Sequence, residues 1–269
     1  SNIQKNSTVL FFCHNMKKRK QDKKICIYGK HALTEALLYA PQVLHRVYLS
    51  KEVNDPQLRK TLKSAGVNVA SLGVGNRLTG ITGKESHQGI VGYIMLDKLM
   101  VSYDEFSKSL KVTDNTSLLI LGEIEDPHNV GAIIRSAAAF GVSGVLIPKH
   151  NQAPITGAVV KVSAGMAFRI PIVSVGNINT AVRDLKDKGF WIYGLDGKAE
   201  QTASEEKYDK PSVFILGNEA KGIREKTRDI CDILLSIPIN SQCESLNVAA
   251  LTAIMLFTWS SQHPGALKK

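Results

Sequence analysis

The sequence lacks the features of membrane-spanning and disulfide-linked proteins. Among its 269 residues, no run approaches the ~18 consecutive apolar residues of a membrane span. The apolar stretch 7–13 is only about half as long as a secretory signal core, and its basic cluster follows it. Four cysteines without Cys-x-x-Cys spacing predict reduced thiols in a cytoplasmic protein, with neither a disulfide framework nor a metal site.

Complete signatures of the common nucleotide-binding loops are also missing. Residues 73–78 (GVGNRL) begin as Gly-x-Gly, but the third glycine is absent and no helical pattern follows. The dinucleotide fingerprint needs both features, and the chain has no P-loop. The composition, with 43% apolar and 22% charged residues, predicts a soluble globular protein of one large domain or two ordinary ones.

Acidic residues are too few to balance the basic ones, which gives a formal net charge of +10. The excess is concentrated at the start, where residues 1–24 hold seven basic residues and one acidic residue. A basic tail of this kind fits contact with the phosphates of RNA or DNA. A solvated, disordered end that keeps the protein soluble explains the same charges, so the tail alone leaves both interpretations open.

Short periodic patterns divide the rest of the chain into two α/β units. Residues 25–96 show strand and helix patterns in turn, with a Gly-rich polar loop at 75–89, and predict a small α/β domain. Residues 97–112 predict a linker with one or two turns of helix. From 113 to 264, apolar strands alternate with helices, one of them predicted over 221–232. This second unit predicts a mostly parallel sheet whose carboxyl edge would hold a ligand.

The first of three polar loop–helix junctions is DPHNVGAIIRS, residues 126–136. Asn129 stands where a helix N-cap is expected, and Gly131 would allow a ligand or another backbone to approach closely. Arg135 is the single long cation on an otherwise apolar helix. A guanidinium keeps its charge and needs a partner or an opening to water. Arg135 therefore either extends to the surface or faces a bound anion.

The second and third junctions also follow predicted strands. In FILGNEAKGI, residues 214–223, Glu219 is either part of a turn or a carboxylate at the end of a buried strand, where a site acid would sit. In IPINSQCESLNVAAL, residues 237–251, Ser245 and Asn247 open an apolar helix. Ser245 is either only the N-cap of this helix or a site residue.

Together, the three junctions resemble the SpoU (TrmH-like) branch of the SPOUT RNA methyltransferases. The matching elements are N-x-G-x-x-x-R at 129–135, LGNE with a following glycine at 216–222, and SLN at 245–247. The first unit, through YGKHALTEAL and HQGIVG, resembles the substrate-binding domain of the bacterial 23S rRNA guanosine 2′-O-methyltransferase subgroup. The third element departs from the family in one place, because Ala249 stands where many members have a serine.

The resemblance implies a mostly parallel α/β sheet whose carboxyl-terminal segment threads a trefoil knot. It also implies a homodimer with the site near the subunit interface. The implied cofactor is S-adenosylmethionine, bound in the knot largely through backbone groups of three loops, with no metal. By position, the cofactor-binding residues would be Leu195, Gly197, Leu216, Gly217, Asn218, Ile237 and Leu246.

The resemblance assigns catalytic roles to five residues, Asn129, Arg135, Glu219, Ser245 and Asn247. Arg135 would hold a phosphate or ribose oxygen and stabilise developing negative charge, because a guanidinium that titrates above ~12 is a poor base. Asn129 would fix its loop or bind the nucleotide, and Glu219 would pair with Arg135 or position the substrate. Ser245 and Asn247 would cap the last helix and hold the donor or the target nucleotide.

The implied reaction is methylation of a ribose 2′-hydroxyl in RNA, on a guanosine of 23S rRNA. A tRNA methyltransferase of the same family and an inactive RNA-binding relative are the alternatives. The front domain favours rRNA, because the short tRNA enzymes of the family lack it. Candidate RNA contacts in this domain are Lys30, His31, Arg77 and Lys84, although solvated surface explains each of them as well.

Overall fold

The computed structural model describes residues 24–73 and 87–267. Most of the basic tail and of the predicted Gly-rich loop lie outside the described residues, and so do the candidate RNA contacts Arg77 and Lys84. Within the described part of the chain, no helix has the length and apolar character needed to cross a membrane.

The first unit is a four-stranded mixed sheet with two longer helices. Its elements are β1 (Lys24–Tyr28), α1 (Lys30–Tyr39), β2 (Leu44–Leu49), α2 (Pro56–Ser64), β3 (Asn68–Ser71) and β4 (Ile90–Met95). The strand order is β1-β4-β2-β3, with only the β2–β3 pair parallel. The sequence patterns predict each of these elements. Helix α2, for example, starts with a proline after Asp55, whose carboxylate accepts the N–H of Leu58 at 2.9 Å.

The segment 97–112 contains more structure than the predicted linker. It includes most of α3 (Leu96–Leu99), followed by β5 (Met100–Ser102) and α4 (Tyr103–Ser109). Strand β5 pairs in parallel with a strand of the second unit. A strand of three residues is too short to show an alternating pattern, so the linker prediction missed it.

The second unit contains a parallel sheet of seven strands, one of which is β5. The others are β6 (Ser117–Leu121), β7 (Gly144–Pro148), β8 (Ile172–Val175), β9 (Trp191–Leu195), β10 (Ser212–Leu216) and β11 (Ile233–Leu235). The order is β11-β9-β10-β6-β7-β8-β5, and each of these pairs is parallel. Strands β6 and β10 are buried along their whole length, as continuous apolar runs predict for a sheet covered on both faces. The predicted mostly parallel α/β fold is therefore confirmed.

The helices of the second unit follow the sequence patterns, with two exceptions. They are α5 (Pro127–Ala139), α6 (Gly157–Val162), α7 (Ile178–Asp187), α8 (Glu225–Arg228) and α9 (Val248–Gln262). Helix α6 lies in a segment predicted as a loop. The helix predicted over 221–232 is wrong, because only α8 forms there. Gly222 adopts a left-handed φ of 69°. Its N–H and C=O exchange hydrogen bonds with Asn218 at 2.9 and 3.0 Å, so a tight turn occupies the start of the predicted helix.

The two units pack against each other through α1. The buried carboxylate of Glu35 accepts two hydrogen bonds from Arg169, at 2.6 and 2.9 Å. One cluster of buried apolar side chains includes residues of both units. Nε2 of His31 lies 3.1 Å from the carbonyl oxygen of Ala164. His31, a candidate RNA contact, therefore also contacts the second unit, and its role towards RNA stays a prediction.

Two glycines of the second unit allow this close packing. A Cβ atom at Gly157 would lie 2.0 Å from the carbonyl oxygen of Cys26. Gly165 has a φ of 77°, and a Cβ atom there would lie 2.6 Å from Cγ of Glu35. Any larger residue at either position would push the two units apart. Glycine at both positions therefore allows the units to lie in close contact.

Candidate active site

The three polar junctions meet at the carboxyl edge of the seven-stranded sheet. Nδ2 of Asn129 donates a hydrogen bond to Oε1 of Glu219 at 2.8 Å, across 90 residues of sequence. Nδ2 of Asn247 donates to Oδ1 of Asn129 at 2.9 Å, across 118 residues. One amide group thus connects all three junctions. The sequence predicts that these loops converge at one end of the sheet, but not which side chains connect them.

Asn129 is not the N-cap of α5, contrary to the sequence-based prediction. The helix begins two residues earlier, at Pro127, and Asp126 caps it by accepting the N–H of His128 at 2.8 Å. Proline is favoured at the first position of a helix, which explains the earlier start. Asn129 consequently lies in the first turn, with its side chain free to bond to the other two junctions.

Asn247, and not Ser245, caps α9. Its Oδ1 accepts the N–H groups of Ala249 and Ala250 at 2.9 and 3.3 Å, while its Nδ2 donates to Asn129. The side chain therefore fixes both the start of the helix and the position of Asn129. Ser245 is exposed and lines a cleft, so the interpretation of Ser245 as only a cap is wrong. Ala249 contributes a backbone N–H to the cap.

Asn218 holds the second junction in place. Its Oδ1 accepts the N–H groups of Ala220 and Lys221 at 3.0 and 3.1 Å, and its Nδ2 donates to the carbonyl oxygen of Glu123 at 2.9 Å. The loop after β10 is thereby connected to the loop after β6. A Cβ atom at Gly217 would lie 2.2 Å from the backbone carbon of Gly222, so only glycine permits this turn.

A cleft of about 370 Å³ lies between these loops, within the range of small-molecule sites. Its lining includes all seven residues predicted to bind the cofactor, namely Leu195, Gly197, Leu216, Gly217, Asn218, Ile237 and Leu246. Glu219 and Ser245 line it as well. Asp196 and Asn240 also line the cleft, and they lie within the segments 194–197 and 237–246 that are predicted to contact the cofactor.

Arg135 points away from the buried face of α5. It is exposed, and it has neither a hydrogen-bond nor an ion-pair partner within residues 24–73 and 87–267. The predicted pairing of Arg135 with Glu219 is therefore not formed within this chain, where Glu219 accepts from Asn129 instead. The sequence leaves two surroundings open for Arg135, solvent or a bound anion. In the single chain, its guanidinium group reaches solvent.

The described residues offer no site for a metal ion. No group of three or more His, Cys, Asp or Glu side chains in this part of the chain has suitable geometry. The cleft is lined instead by apolar side chains, glycines and polar side chains. Such a lining suits an organic ligand of mixed polarity.

Two family models match the chain. The SpoU rRNA Methylase family matches residues 116–257, and the model for RNA 2′-O ribose methyltransferase substrate binding matches residues 26–97. The chain is 36% identical to the 23S rRNA (guanosine-2′-O-)-methyltransferase RlmB of Shewanella oneidensis, over 89% of this chain and 96% of that protein. The protein of the same name from Nitrosomonas europaea is 34% identical, over 88% of this chain and 91% of its own.

Solved structures show the same fold. The SpoU methyltransferase AviRb from Streptomyces viridochromogenes, in complex with AdoMet, gives a TM-score of 0.75 at 21% identity and covers 93% of this chain and 94% of its own. An AdoMet-bound rRNA methyltransferase from Sinorhizobium meliloti gives a TM-score of 0.75 at 23% identity, over 89% and 87% of the two chains. The chain belongs to the SpoU rRNA methylase family.

Proposed function

We propose that this protein transfers a methyl group from S-adenosylmethionine to a ribose 2′-hydroxyl in RNA, on a guanosine of 23S rRNA. The observation that carries the proposal is the hydrogen-bonded series Asn247–Asn129–Glu219 at the edge of the cleft. The curated relatives named above are 23S rRNA guanosine methyltransferases and align with nearly the whole chain. Methylation of tRNA and loss of activity are the alternatives.

The residues around the cleft fit the cofactor. Gly197 lines the cleft, and a Cβ atom there would meet no atom within 4 Å, so the space in front of it is open. Leucine and isoleucine side chains supply apolar contacts, and Asp196 and Asn240 supply polar groups for the ends of the molecule. When bound, S-adenosylmethionine supplies an activated methyl group on a sulfonium.

The contribution of the protein is then to align the ribose oxygen with this methyl group. Such alignment alone lowers a reaction barrier by several kcal/mol. Asn129 holds the carboxylate of Glu219 in one orientation, and Glu219 and Ser245, both at the cleft, position the target nucleotide. Arg135 binds a phosphate or ribose oxygen and stabilises the negative charge that develops as the hydroxyl loses its proton.

We further propose that the protein is a homodimer, which brings Arg135 to the site of the second subunit. Arg135 and Asn129 are six positions apart and therefore lie on different faces of α5. The outward stripe of α5 contains the half-buried Ala132 and the exposed Arg135 and Ala139. On the adjacent helix α9, Ile254 is 42% exposed and Phe257 is 61% exposed. An apolar face of this kind, on helices that pack together, fits a two-fold interface with a second copy.

The predicted trefoil knot remains part of the proposal. Backbone hydrogen bonds join the segment after β11 to the loop after β9, from Ser236 N to Gln201 O and from Ala203 N to Ser236 O, both at 2.9 Å. The chain then returns to α9, where Gln262 donates to the carbonyl oxygen of Glu206 at 3.0 Å. Such contacts around one loop support a carboxyl-terminal segment that threads through it.

The predicted domain boundaries also remain proposals, with residues 25–96 as the RNA-binding domain and 113–264 as the methyltransferase domain. The limits of the two family-model matches, 26–97 and 116–257, support them. The cytoplasmic location and the role of the basic tail stay predictions.

Mass spectrometry of nucleosides tests the proposed function directly. The purified protein is incubated with S-adenosylmethionine and either 23S rRNA transcribed in vitro or transcribed tRNA. We expect 2′-O-methylguanosine in digests of the rRNA only. The same product from tRNA alone supports the tRNA alternative, whereas binding of RNA without any methylated nucleoside supports the inactive alternative.

A further inference from the structure

A second cleft, of about 470 Å³, opens beside the cofactor cleft. Residues that follow β6, β7, β8 and β10 line it, so it lies at the same carboxyl edge of the sheet. Leu216 and Gly222 line both clefts. The turn that ends β10 is therefore the wall between them, and a ligand in the second cleft would be a neighbour of the cofactor cleft, where the methyl group is transferred.

The second cleft combines an apolar floor with a polar rim. Its apolar lining residues are Pro148, Ile178, Ile215, Leu216 and Ile223. At the rim, Asn151 uses only Nδ2, which donates to Glu123 at 3.1 Å, and Asn177 uses only Oδ1, which accepts the N–H of Thr180 at 3.1 Å. The other polar atom of each amide has no partner among the described residues. An apolar surface edged by free amide groups suits a nucleobase, which stacks on its face and bonds at its edges.

Positive charge without a partner lies at the same rim. The segment 221–228 contains four basic residues and one acidic residue. Arg224 bonds to Glu123, and Arg228 forms an ion pair with Asp196 at 3.0 Å. Lys226 lines the second cleft, and within the described chain its ammonium group has no hydrogen bond or ion pair.

The first turn of α7 adds to this positive end of the cleft. Ile178 and Asn179, the first two residues of the helix, both line the cleft. Backbone N–H groups at the start of a helix favour an anion, and a nearby lysine strengthens the preference for a phosphate.

Two residues at the rim are held in an uncommon backbone conformation. Glu123 has a φ of 64° and Asn151 a φ of 53°, in the left-handed region that non-glycine residues rarely adopt. Partial burial opposes ionisation of Glu123, but hydrogen bonds from Arg224 and Asn151 outweigh it and hold the pKa of Glu123 below its usual value. An ionised Glu123 thus keeps Arg224 and Asn151 fixed at the rim.

We propose that the second cleft is a nucleotide subsite, which takes an RNA nucleotide next to the methylated one. The base lies on the apolar floor between the amides of Asn151 and Asn177, and a phosphate lies at Lys226 and the start of α7. The subsite rests on the proposed methyltransferase function, because the shared wall places its occupant beside the reacting ribose.

Gly176 offers a steric test of the subsite. It lines the second cleft, its backbone is outside the left-handed region, and an added Cβ would meet nothing within 4 Å. Gly176→Trp therefore adds an indole at the cleft without a clash at its Cβ atom. With in vitro transcribed 23S rRNA as the probe, we expect the KM for RNA to rise about tenfold or more, because a nucleotide contact is lost. The Kd for S-adenosylmethionine, measured by calorimetry, stays unchanged.

Two matched variants complete this experiment. Gly176→Ala adds too little volume to block the cleft and keeps the KM of the wild type. Gly197→Trp fills the cofactor cleft, where an added Cβ is equally unhindered, and abolishes binding of S-adenosylmethionine. A folded Gly176→Trp enzyme with the KM of the wild type overturns the subsite alone. A wild-type protein that neither binds S-adenosylmethionine nor methylates RNA overturns the proposed function itself.

Lys226→Ala provides a second test that does not depend on a bulky substitution. Its side chain is exposed and makes no described contact, so the fold is retained. Loss of one phosphate contact reduces the magnitude of the slope by about 1 when the logarithm of the RNA association constant is plotted against the logarithm of the salt concentration. Filter binding of the same rRNA at several salt concentrations measures this slope. A slope equal to that of the wild type contradicts a phosphate at Lys226.

Discussion

The side chains of Asn129 and Asn247 form a hydrogen bond of 2.9 Å, with Asn247 as the donor, although they are 118 positions apart in the sequence. Because Nδ2 of Asn129 also donates to Glu219, both polar atoms of this one amide are used. Asn247 in turn caps α9. The orientation of the Glu219 carboxylate is therefore coupled to the start of the last helix, and a change at Asn129 affects two loops at once.

Exchange of the amide and the carboxylate between Asn129 and Glu219 tests this coupling. Asn129→Asp places two carboxylates at a contact that is 2.8 Å in the wild type. Loss of a hydrogen bond to a charged group, about 1.5–3 kcal/mol, corresponds to a fall in methylation of roughly 10- to 100-fold. The added substitution Glu219→Gln restores a donor–acceptor pair. If the hydrogen bond between these two residues serves to hold them in one orientation, the initial methylation rate of the double variant returns most of the way to that of the wild type. A double variant as slow as the single one contradicts that role.

Arg135 is expected to contribute to catalysis and not to folding. It is exposed and has no partner in the described chain, so Arg135→Ala changes the free energy of unfolding by less than about 0.5 kcal/mol. Loss of a cation that stabilises developing charge lowers the methylation rate by about 100- to 1000-fold. Thermal unfolding and single-turnover rates measure the two effects. Near-normal turnover of a folded variant removes Arg135 from the mechanism.

The proposed homodimer predicts different outcomes for two exposed apolar residues. Phe257 on α9 is 61% exposed and Leu38 on α1 is 63% exposed. Phe257→Glu places a charge in the proposed interface and gives a monomer with little activity, whereas Leu38→Glu leaves the dimer and its activity unchanged. Light scattering after size-exclusion chromatography, with a methylation assay, distinguishes them. A wild-type protein that is monomeric at assay concentration and fully active rules out a site shared between subunits.

The contact between Glu35 and Arg169 predicts a pH-dependent contribution to stability. The hydrogen bond from Arg169 holds the pKa of Glu35 below its usual value, although burial opposes this effect. The stabilisation is therefore complete above the unfolded pKa of about 4.3 and is lost as the pH falls through the lower pKa of the folded state.

Urea unfolding of Glu35→Gln measures this contribution. At pH 7 we expect a loss of about 1–3 kcal/mol, towards the lower end because the Arg169 side chain is 39% exposed. The difference from wild type narrows below about pH 4. Lys30→Ala is the control, since Lys30 and Asp55 form an exposed ion pair at 2.8 Å, and such pairs contribute little. An equal loss at pH 7 and pH 3.5 contradicts the charge-based explanation.

Most of the fold could be predicted from the sequence because its elements are long or strongly periodic. The buried strands β6 and β10 are continuous apolar runs, and α5 and α9 are long apolar helices. The three residues of β5 carry no detectable period. The composition of residues 221–224 is typical of a helix. A turn forms there instead, because Gly222 adopts a left-handed φ and exchanges backbone hydrogen bonds with Asn218.

Only part of the candidate site could be predicted from the sequence. The cofactor-binding residues were proposed loop by loop, and the structure places all seven around one cleft. The pairing of side chains depends on the tertiary structure. The sequence suggests Arg135 as a partner of Glu219, whereas in the structure the partner of Glu219 is Asn129. Likewise, nothing in the local pattern of His31 shows that its ring contacts Ala164 of the other unit.

The absence of a side chain at Gly157 and Gly165 has a consequence for substrate choice. These glycines let the first unit lie in direct contact with the second. The distance from the proposed RNA-binding domain to the proposed cofactor cleft is therefore set by this contact. Under the proposed function, the choice of one guanosine in the RNA depends on which one the RNA fold presents at that distance.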